Sequence, residues 1–193
     1  NPSGKLVDTW PVDYMDFPTS ATLGENIVDS RTEYDEYYYD DIYVGYRYFD
    51  TFNVDPAYES GYGLSYTTFD QKIVGFSADA DTVTVGVQVK NTGDTYSGKE
   101  VVEVYFSAPD GELEKPYQEL AAYGKTDMLA PGESQIVTVT FNTDEMSSYD
   151  ETKAAYVLED GDYIVRAGNS SRNTHVAGVI NLNEDTITEQ LSN

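Results

Sequence analysis

From Lys72 onward, apolar and polar residues alternate along the chain with a period of two. The clearest case is 82–90, where nine residues alternate, as expected for a half-buried β-strand. Turn-forming residues such as the Asn-Thr-Gly at 91–93 end these runs. The pattern predicts about seven strands, at 71–76, 82–90, 100–106, 120–125, 135–141, 162–168 and 175–181.

Seven short strands separated by turn signals predict a mainly β fold, an antiparallel immunoglobulin-like sandwich. The chain contains no cysteine, so the disulfide of antibody domains is excluded and a fibronectin type III-like sandwich is the better match. A single helical turn is expected at 143–146, where Thr143 offers a capping residue.

Residues 1–70 show little periodicity. Pro2, Pro11 and Pro18 argue against a helix there, and a short strand is expected at 6–11. Because so irregular a segment cannot offset its own chain entropy, we expect it to need a surface to pack against.

We therefore divide the chain into three parts. Residues 1–70 are interpreted as the terminal segment of an α/β sandwich domain and a connecting arm, 71–183 as the β-sandwich, and 184–193 as a tail or linker. Because the chain starts at Asn1 rather than Met, we expect it to be a piece of a longer protein, which leaves bacterial cytoplasm and secretion both open as locations.

The charge limits the partners of this chain. Of 193 residues, 35 are acidic and 11 basic, giving a formal net charge of −24. Such a surface repels phosphate backbones and anionic lipids, so nucleic acid and membranes are poor partners. A neutral sugar or another protein remains compatible with this charge.

The acidic residues and the single histidine are candidates for catalytic or metal-binding sites. Paired carboxylates serve glycoside hydrolysis, but a charge run usually faces solvent, and solvation is the favoured interpretation of the acidic cluster. His175 has no cysteine or second histidine to join it, so neither a metal site nor a catalytic triad is predicted. No cofactor site is predicted either. The acidic cluster comprises Glu33, Asp35, Glu36, Asp40 and Asp41.

Three further motifs have structural interpretations. Gly61-Tyr62-Gly63 is not followed by a strand-to-helix switch, so it indicates a tight turn rather than a phosphate loop. Asn169-Ser170-Ser171 is a glycosylation sequon, here interpreted as a loop after a strand. Trp10, beside Pro11, is expected in the core rather than in a ligand platform.

Tyrosine is abundant, at 18 of 193 residues. Its ring combines an apolar face with a polar edge, which suits both sugar stacking and protein interfaces. Interdomain packing is the favoured role of the tyrosines near residue 40. The candidates for substrate contact are Tyr37, Tyr38 and Tyr43, and no catalytic residue is assigned.

Three motifs carry a family resemblance. Residues 1–11 (NPSGKL followed by TWP), 45–50 (GYRYFD) and 58–69 (YESGYGLSYTTF) resemble, in order and spacing, segments of glycoside hydrolase family 3. Segments of the β region resemble that family's fibronectin type III-like domain, among them 98–105 and 129–133. The resemblance covers residues 1–183, and 186–193 is similar to a linker of members in which the barrel follows this domain.

The resemblance implies β-glucosidase-like, retaining, exo-acting hydrolysis of β-glycosidic bonds. It places an aspartate nucleophile on a TIM-like barrel and an acid/base residue on an α/β sandwich domain, both outside this chain. The chain alone is therefore expected to be inactive, its partner being the catalytic barrel and sandwich of the same enzyme, from the same gene or a second chain. A β-linked oligosaccharide or aryl glucoside is the implied substrate.

The alternative is a free-standing fibronectin-like module that binds carbohydrate or protein. A module of that kind should not carry a long arm without a core of its own, so residues 1–70 favour the enzyme-part hypothesis.

Overall fold

The computed structural model describes residues 1–21, 27–29, 33–34 and 39–191, and its regular structure is almost entirely antiparallel β. The strands are β1 (Trp10–Pro11), β2 (Ile27–Asp29), β3 (Glu33–Tyr34), β4 (Pro56–Tyr58), β5 (Phe69–Ala78), β6 (Thr82–Asn91), β7 (Val101–Ser107), β8 (Glu119–Lys125), β9 (Ser134–Asn142), β10 (Ser148–Asp150), β11 (Ala155–Leu158), β12 (Gly161–Ser170), β13 (Asn173–Leu182) and β14 (Thr186–Gln190). Helix α1 spans Tyr46–Thr51, and 3-10 turns lie at Tyr14–Asp16, Pro18–Ala21 and Thr143–Met146.

Two antiparallel sheets face each other across a common core. One has the strand order β13-β12-β7-β8 and the other β5-β6-β9. The alternation of β6 places four valines inward, each at most 1% exposed, against inward residues of β7 and β12. The predicted mainly β antiparallel sandwich is therefore confirmed. These core residues include Val83, Val85, Val87, Val89, Val102, Val104, Phe106, Tyr163 and Val165.

All seven strands expected from the period-two pattern form, with β5 starting at Phe69, two residues before its predicted start. The helical turn at Thr143–Met146 also forms, but its capping residue is Asn142, which forms a capping box with Glu145, and not Thr143 as expected. Beyond these, β10, β11 and β14 make a small third sheet that the pattern did not reveal, because strands of three to five residues are too short to show a period.

The polar segment 184–193, expected to be a tail or linker, contains strand β14. Strand β14 pairs antiparallel with β11, and the Gln190 side chain donates to the carbonyls of Lys153 and Ala154, at 3.0 Å each. The β-branched residues at 186–188 favour this extended conformation.

Short helical turns occur in residues 1–70 despite the prolines. Asp13 and Asp16 form a capping box around the first 3-10 turn, and Pro18 occupies the first position of the second. Proline is tolerated there because the missing N–H would have no helical partner. The expectation that the prolines exclude a helix was therefore wrong for these two turns. It also missed helix α1. The short strand expected at 6–11 reduces to Trp10–Pro11, paired with β4.

Every residue of β7 is buried, although a sandwich strand normally buries one face. Val102, Val104 and Phe106 face the core, while Glu103 and Tyr105 on the opposite face lie against Gly61 and Tyr46 of the segment 1–70, which we call the arm. The expectation that the arm needs a packing surface agrees with this arrangement, since the outer face of the β12-β7-β8 sheet is that surface.

A turn at Gly61 brings the arm closest to this sheet. Gly61 has a φ of +84°, its N–H donates to the Leu6 carbonyl at 2.8 Å, and the Ser171 N–H donates to the Ser60 carbonyl at 2.9 Å. A Cβ at residue 61 would lie 2.5 Å from the Glu103 carboxylate and 2.6 Å from the Ser170 Cα. Glycine is required by both the backbone conformation and the space.

We predict that Gly61→Ala lowers the free energy of unfolding by about 2–4 kcal/mol, from left-handed strain and overpacking together. Urea unfolding followed by circular dichroism measures this. The matched control is Gly75→Ala in β5, where an added Cβ meets nothing within 4 Å and the change should stay within about 0.5 kcal/mol. Equal effects of the two substitutions would contradict the close approach at Gly61.

Candidate functional site

Helix α1 carries the Tyr-Arg-Tyr-Phe-Asp motif and lies where the arm contacts the sandwich. Phe49 is fully buried, and the rings of Phe17 and Tyr48 meet it nearly edge-on at centroid distances of 5.6 Å. Edge-to-face aromatic pairs add stability beyond the area they bury. The helix has six residues and is too short to be stable alone, so this packing holds it in place.

The first two residues of the motif contact the outer face of the four-stranded sheet. The Tyr46 ring meets the Tyr105 ring at 5.8 Å, and the Tyr46 hydroxyl accepts the N–H of Leu120 at 2.7 Å. Burial raises the pKa of Tyr46. Arg47 pairs with Glu119 at 2.9 Å in a partly exposed position. Both contacts fix the start of α1 to β7 and β8.

The last residue of the motif, Asp50, has a buried side chain and is the centre of a partly exposed polar network. The Arg172 Nε donates to Asp50 Oδ1 at 2.6 Å, and its Nη2 donates to the Phe49 and Val54 carbonyls at 2.8 and 2.7 Å. Gln118 Nε2 donates to Asp50 Oδ2 at 3.0 Å and to the Ser171 carbonyl at 2.7 Å. The planar guanidinium thus satisfies a carboxylate and two carbonyls near the end of α1 together.

A second carboxylate, Glu103, lies beneath the Gly61 turn. The Tyr105 hydroxyl donates to Glu103 Oε2 at 2.7 Å. Burial raises the pKa of Glu103, and the Tyr105 hydrogen bond and the nearby Lys5 oppose that increase. Lys5 itself pairs with Glu100 at 3.0 Å. An arm residue and two sheet carboxylates therefore share one partly desolvated cluster.

The geometry of these groups is that of a structural joint. Glu103 and Asp50 are covered by the arm or bound by Arg172, so neither carboxylate is open to a substrate. Among the residues described, no three His, Asp or Glu side chains come close enough to bind a metal ion together. In the same part of the chain, no helix has the length and apolar character needed to cross a bilayer.

Of the predicted substrate contacts, Tyr37 and Tyr38 lie outside the described residues. Tyr43 is partly buried, its hydroxyl donates to Glu114 Oε1 at 2.7 Å, and its ring meets Phe52 at 4.9 Å. Burial, followed by the Glu114 hydrogen bond, raises the pKa of Tyr43 to about 12. The Tyr43 hydroxyl is thus committed to an internal contact.

The acidic cluster is not assembled into one site among the described residues. Asp35 and Glu36 lie outside them, and only the backbone of Glu33 is described. Asp41 is exposed, as the solvated interpretation expects, whereas Asp40 is partly buried and its Oδ1 has no partner among the described residues.

Other candidates from the sequence are now placed. His175 lies on β13 and is exposed, paired across the ladder with Ala167. Asn169 belongs to β12 rather than to a loop, and Ser171 of its sequon is 4% exposed. The Gly61-Tyr62-Gly63 segment forms the expected turn.

Trp10 differs from its expected place in the core, since 54% of it is exposed. Its ring meets the Tyr58 ring edge-on at 6.2 Å. Trp10 pairs with Tyr58 in the small β1–β4 sheet, outside the core of the sandwich. A groove of about 550 Å³ runs beside it. The groove is lined by Asp8, Thr9, Trp10, Pro11, Phe17, Pro18, Asp40, Tyr43, Val44, Gly45 and Tyr48.

Several apolar side chains of the arm are exposed. Five of them along residues 7–15 are more than half exposed, and so are Val44 and Phe52. We call this set the arm surface. The five are Val7 (86%), Trp10 (54%), Val12 (73%), Tyr14 (55%) and Met15 (62%).

Sequence reasoning missed the residues that join the arm to the sheet. Arg172 and Gln118 lie between predicted strands and carry no local signal. Glu103 did carry a sequence signal, because it is a carboxylate within the apolar run of β7. A charged residue there needs a partner if both faces of the strand are covered.

We predict that Arg172→Ala lowers the free energy of unfolding by about 2–4 kcal/mol, because Asp50, whose side chain is 4% exposed, would lose its counter-ion. Arg172→Lys should restore only part of this, since an ammonium cannot reach the carboxylate and both carbonyls. Arg47→Ala, at the more exposed pair, should cost less than about 1 kcal/mol. Chemical denaturation gives all three values, and the account fails if Arg47→Ala proves as costly as Arg172→Ala.

Glu103 predicts a pH dependence of stability. Because its pKa is raised in the folded state, the folded protein binds more protons than the unfolded chain as pH rises above the ordinary value of 4.5, and stability falls through that window. Glu103→Gln should remove this part of the slope. Unfolding free energies of both proteins across pH 4 to 8 test this, and parallel curves would exclude the titration of Glu103.

Comparison with known proteins places these features in a family. Residues 100–171 match the family model of the fibronectin type III-like domain. The chain is 42% identical over its whole length to Beta-glucosidase A of Butyrivibrio fibrisolvens, covering 25% of that protein. It is 38% identical over 99% of its length to a beta-glucosidase of Ruminococcus albus, covering 20% of it.

Solved structures agree with this comparison. A beta-glucosidase from Paenibacillus barengoltzii superposes with a TM-score of 0.89 at 42% identity, over all of this chain and 22% of that one. Beta-glucosidase 3B from Thermotoga neapolitana, in complex with α-D-glucose, superposes with a TM-score of 0.88 at 44% identity, over 97% of this chain and 26% of that one. The GH3 beta-glucosidase of Bifidobacterium adolescentis superposes with a TM-score of 0.76 at 31% identity, over 96% of this chain and 26% of that one. This chain spans about a fifth to a quarter of the length of these relatives and belongs, with its fibronectin type III-like domain, to glycoside hydrolase family 3.

Proposed function

We propose that this chain is the non-catalytic portion of a family 3 β-glucosidase, which hydrolyses β-glycosidic bonds with retention, and that it stabilises the catalytic domains. The supporting observation is the arm surface, whose apolar side chains are exposed here while the inner face of the same arm is packed on the sandwich. Burying such a surface against the remaining domains gains roughly 25 cal/mol per Å².

The division of the chain follows from the same proposal. Residues 1–70 represent the terminal segment of an α/β sandwich domain and the arm, and 71–183 represent the fibronectin type III-like domain. The partner is the catalytic barrel and sandwich of the same enzyme, and the substrate of the whole is a β-linked oligosaccharide or aryl glucoside. With its groove, the arm surface borders the substrate entrance in this proposal.

Asp50 is bound by Arg172 and Glu103 lies against the Gly61 turn, so the two carboxylates of the joint have structural contacts, which supports a non-catalytic role for the joint. We predict that the isolated chain does not hydrolyse 4-nitrophenyl β-D-glucoside above the buffer rate. A chimera in which this chain replaces the aligned segment of the Butyrivibrio Beta-glucosidase A should hydrolyse it. Turnover by the isolated chain that persists through purification would contradict the non-catalytic assignment.

The arm surface is tested by charge insertion. Val12→Asp and Met15→Asp should leave the melting temperature of the isolated chain within about 2 °C, because both side chains are exposed. In the chimera they should lower it by several degrees, since a carboxylate would be buried at the interface. Ile136→Asp is the matched control, because Ile136 is 57% exposed on β9 and should have a similar small effect in both proteins. An equally small effect of all three substitutions in the chimera would overturn the interface.

A further inference from the structure

Two exposed tyrosines lie together at the surface, outside the groove beside Trp10. Tyr66 is 74% exposed and Tyr96 is 55% exposed, and their ring centroids are 6.2 Å apart with the planes inclined at 53°. Neither residue lines the groove of the arm surface. So much aromatic area in solvent contributes little to the core of the sandwich.

The two rings border a cleft of about 430 Å³. Apart from the tyrosines, its lining consists of small residues with hydroxyl groups, one carboxylate and one glycine, and no basic side chain contributes to it. The lining residues are Ser65, Tyr66, Thr67, Thr68, Gly93, Asp94, Thr95 and Tyr96.

A fully buried amide holds both sides of this cleft. Asn91 Oδ1 accepts from the Thr67 hydroxyl at 2.6 Å and from the Gly93 N–H at 3.0 Å. Asn91 Nδ2 donates to the carbonyls of Tyr96 and Leu129, at 2.9 Å each. One side chain therefore fixes the Thr67 side and the Tyr96 side relative to each other.

The backbone of Tyr66 is anchored as well, since its N–H donates to Asn1 Oδ1 at 2.9 Å. The fold therefore fixes the backbone at both tyrosines before any ligand arrives. Because a tyrosine side chain has only two torsion angles, ordering the rings on binding costs little conformational entropy.

The chemistry of the cleft selects a class of ligand. A pyranose ring combines an apolar C–H face with hydroxyls around its rim, which matches tyrosine faces above hydroxyl and carboxylate acceptors. Anionic ligands are disfavoured, because the lining has no cation and the chain has a net charge of −24. A cationic ligand would have a single carboxylate, Asp94, to pair with.

We propose that the cleft between Tyr66 and Tyr96 is a binding site for neutral oligosaccharides, with the tyrosine rings stacked on sugar faces. Asp94 and Thr95, already joined by a hydrogen bond of 2.8 Å, accept hydrogen bonds from sugar hydroxyls. This cleft shares no lining residue with the groove of the arm surface, and the proposal does not depend on the function given above.

The test is a titration of the 193-residue chain with cellotetraose and with laminaritetraose, followed by NMR chemical shifts. We expect saturable shifts of the amides at 65–68 and 93–96. Tyr66→Ala and Tyr96→Ala should each weaken binding by about two- to tenfold, from the loss of one stacked ring. Tyr66→Phe and Tyr96→Phe should retain most of the affinity because the aromatic face remains.

Tyr123→Ala is the matched control, since Tyr123 is 72% exposed on β8 and does not line the cleft. It should bind as the wild type does. The proposal is overturned if neither sugar shifts these amides at tens of millimolar, or if the double variant Tyr66→Ala/Tyr96→Ala binds like the wild type. Either result would leave the interface and activity tests of the chimera unaffected.

Discussion

Strand β7 contacts two layers at once, and the rest of the structure depends on this constraint. Its inward residues complete the sandwich core, while its outward residues, among them Glu103 and Tyr105, require a cover that the sandwich itself does not provide. The arm is that cover. Because Asp50 and the carbonyls of Phe49 and Val54 are held by Arg172 from the β12–β13 turn, the cover is attached by the buried carboxylate of Asp50 as well as by aromatic packing.

This double burial explains why two motifs at the centre of the family resemblance contain few groups available for chemistry. In the Tyr46–Asp50 motif, the described side chains contact the sheet, a neighbouring ring or the Arg172 guanidinium. In the Gly61 turn, the glycine allows the backbone to lie against a carboxylate. Both motifs specify how the arm is joined to the fibronectin type III-like domain, and the outer side of the arm exposes apolar residues.

The sandwich could be predicted from sequence because half-buried strands alternate, and all seven predicted strands form. The joint could not, because its contacts link residues distant in sequence, such as Asp50 with Arg172. Helix α1, with six residues, is too short to show a 3.6-residue period. Trp10 was expected in the core, and its exposure could not be predicted because it depends on which side of the arm faces solvent. Tyr43 was a substrate candidate by composition, yet its hydroxyl is bound to Glu114. The Tyr66–Tyr96 cleft arises from two turns whose proximity only the fold reveals.

The central claim is that the arm and the sandwich form one cooperative unit through β7. Native-state hydrogen exchange of the 193-residue chain tests it most directly, by comparing the amides of Leu6, Gly61 and Ser171 with those of β7. These three amides bond within the arm or between the arm and the sandwich. The account predicts that they exchange with the same opening free energy as β7, close to that of global unfolding. Exchange of the three amides at a much lower free energy, while β7 stays protected, would contradict it.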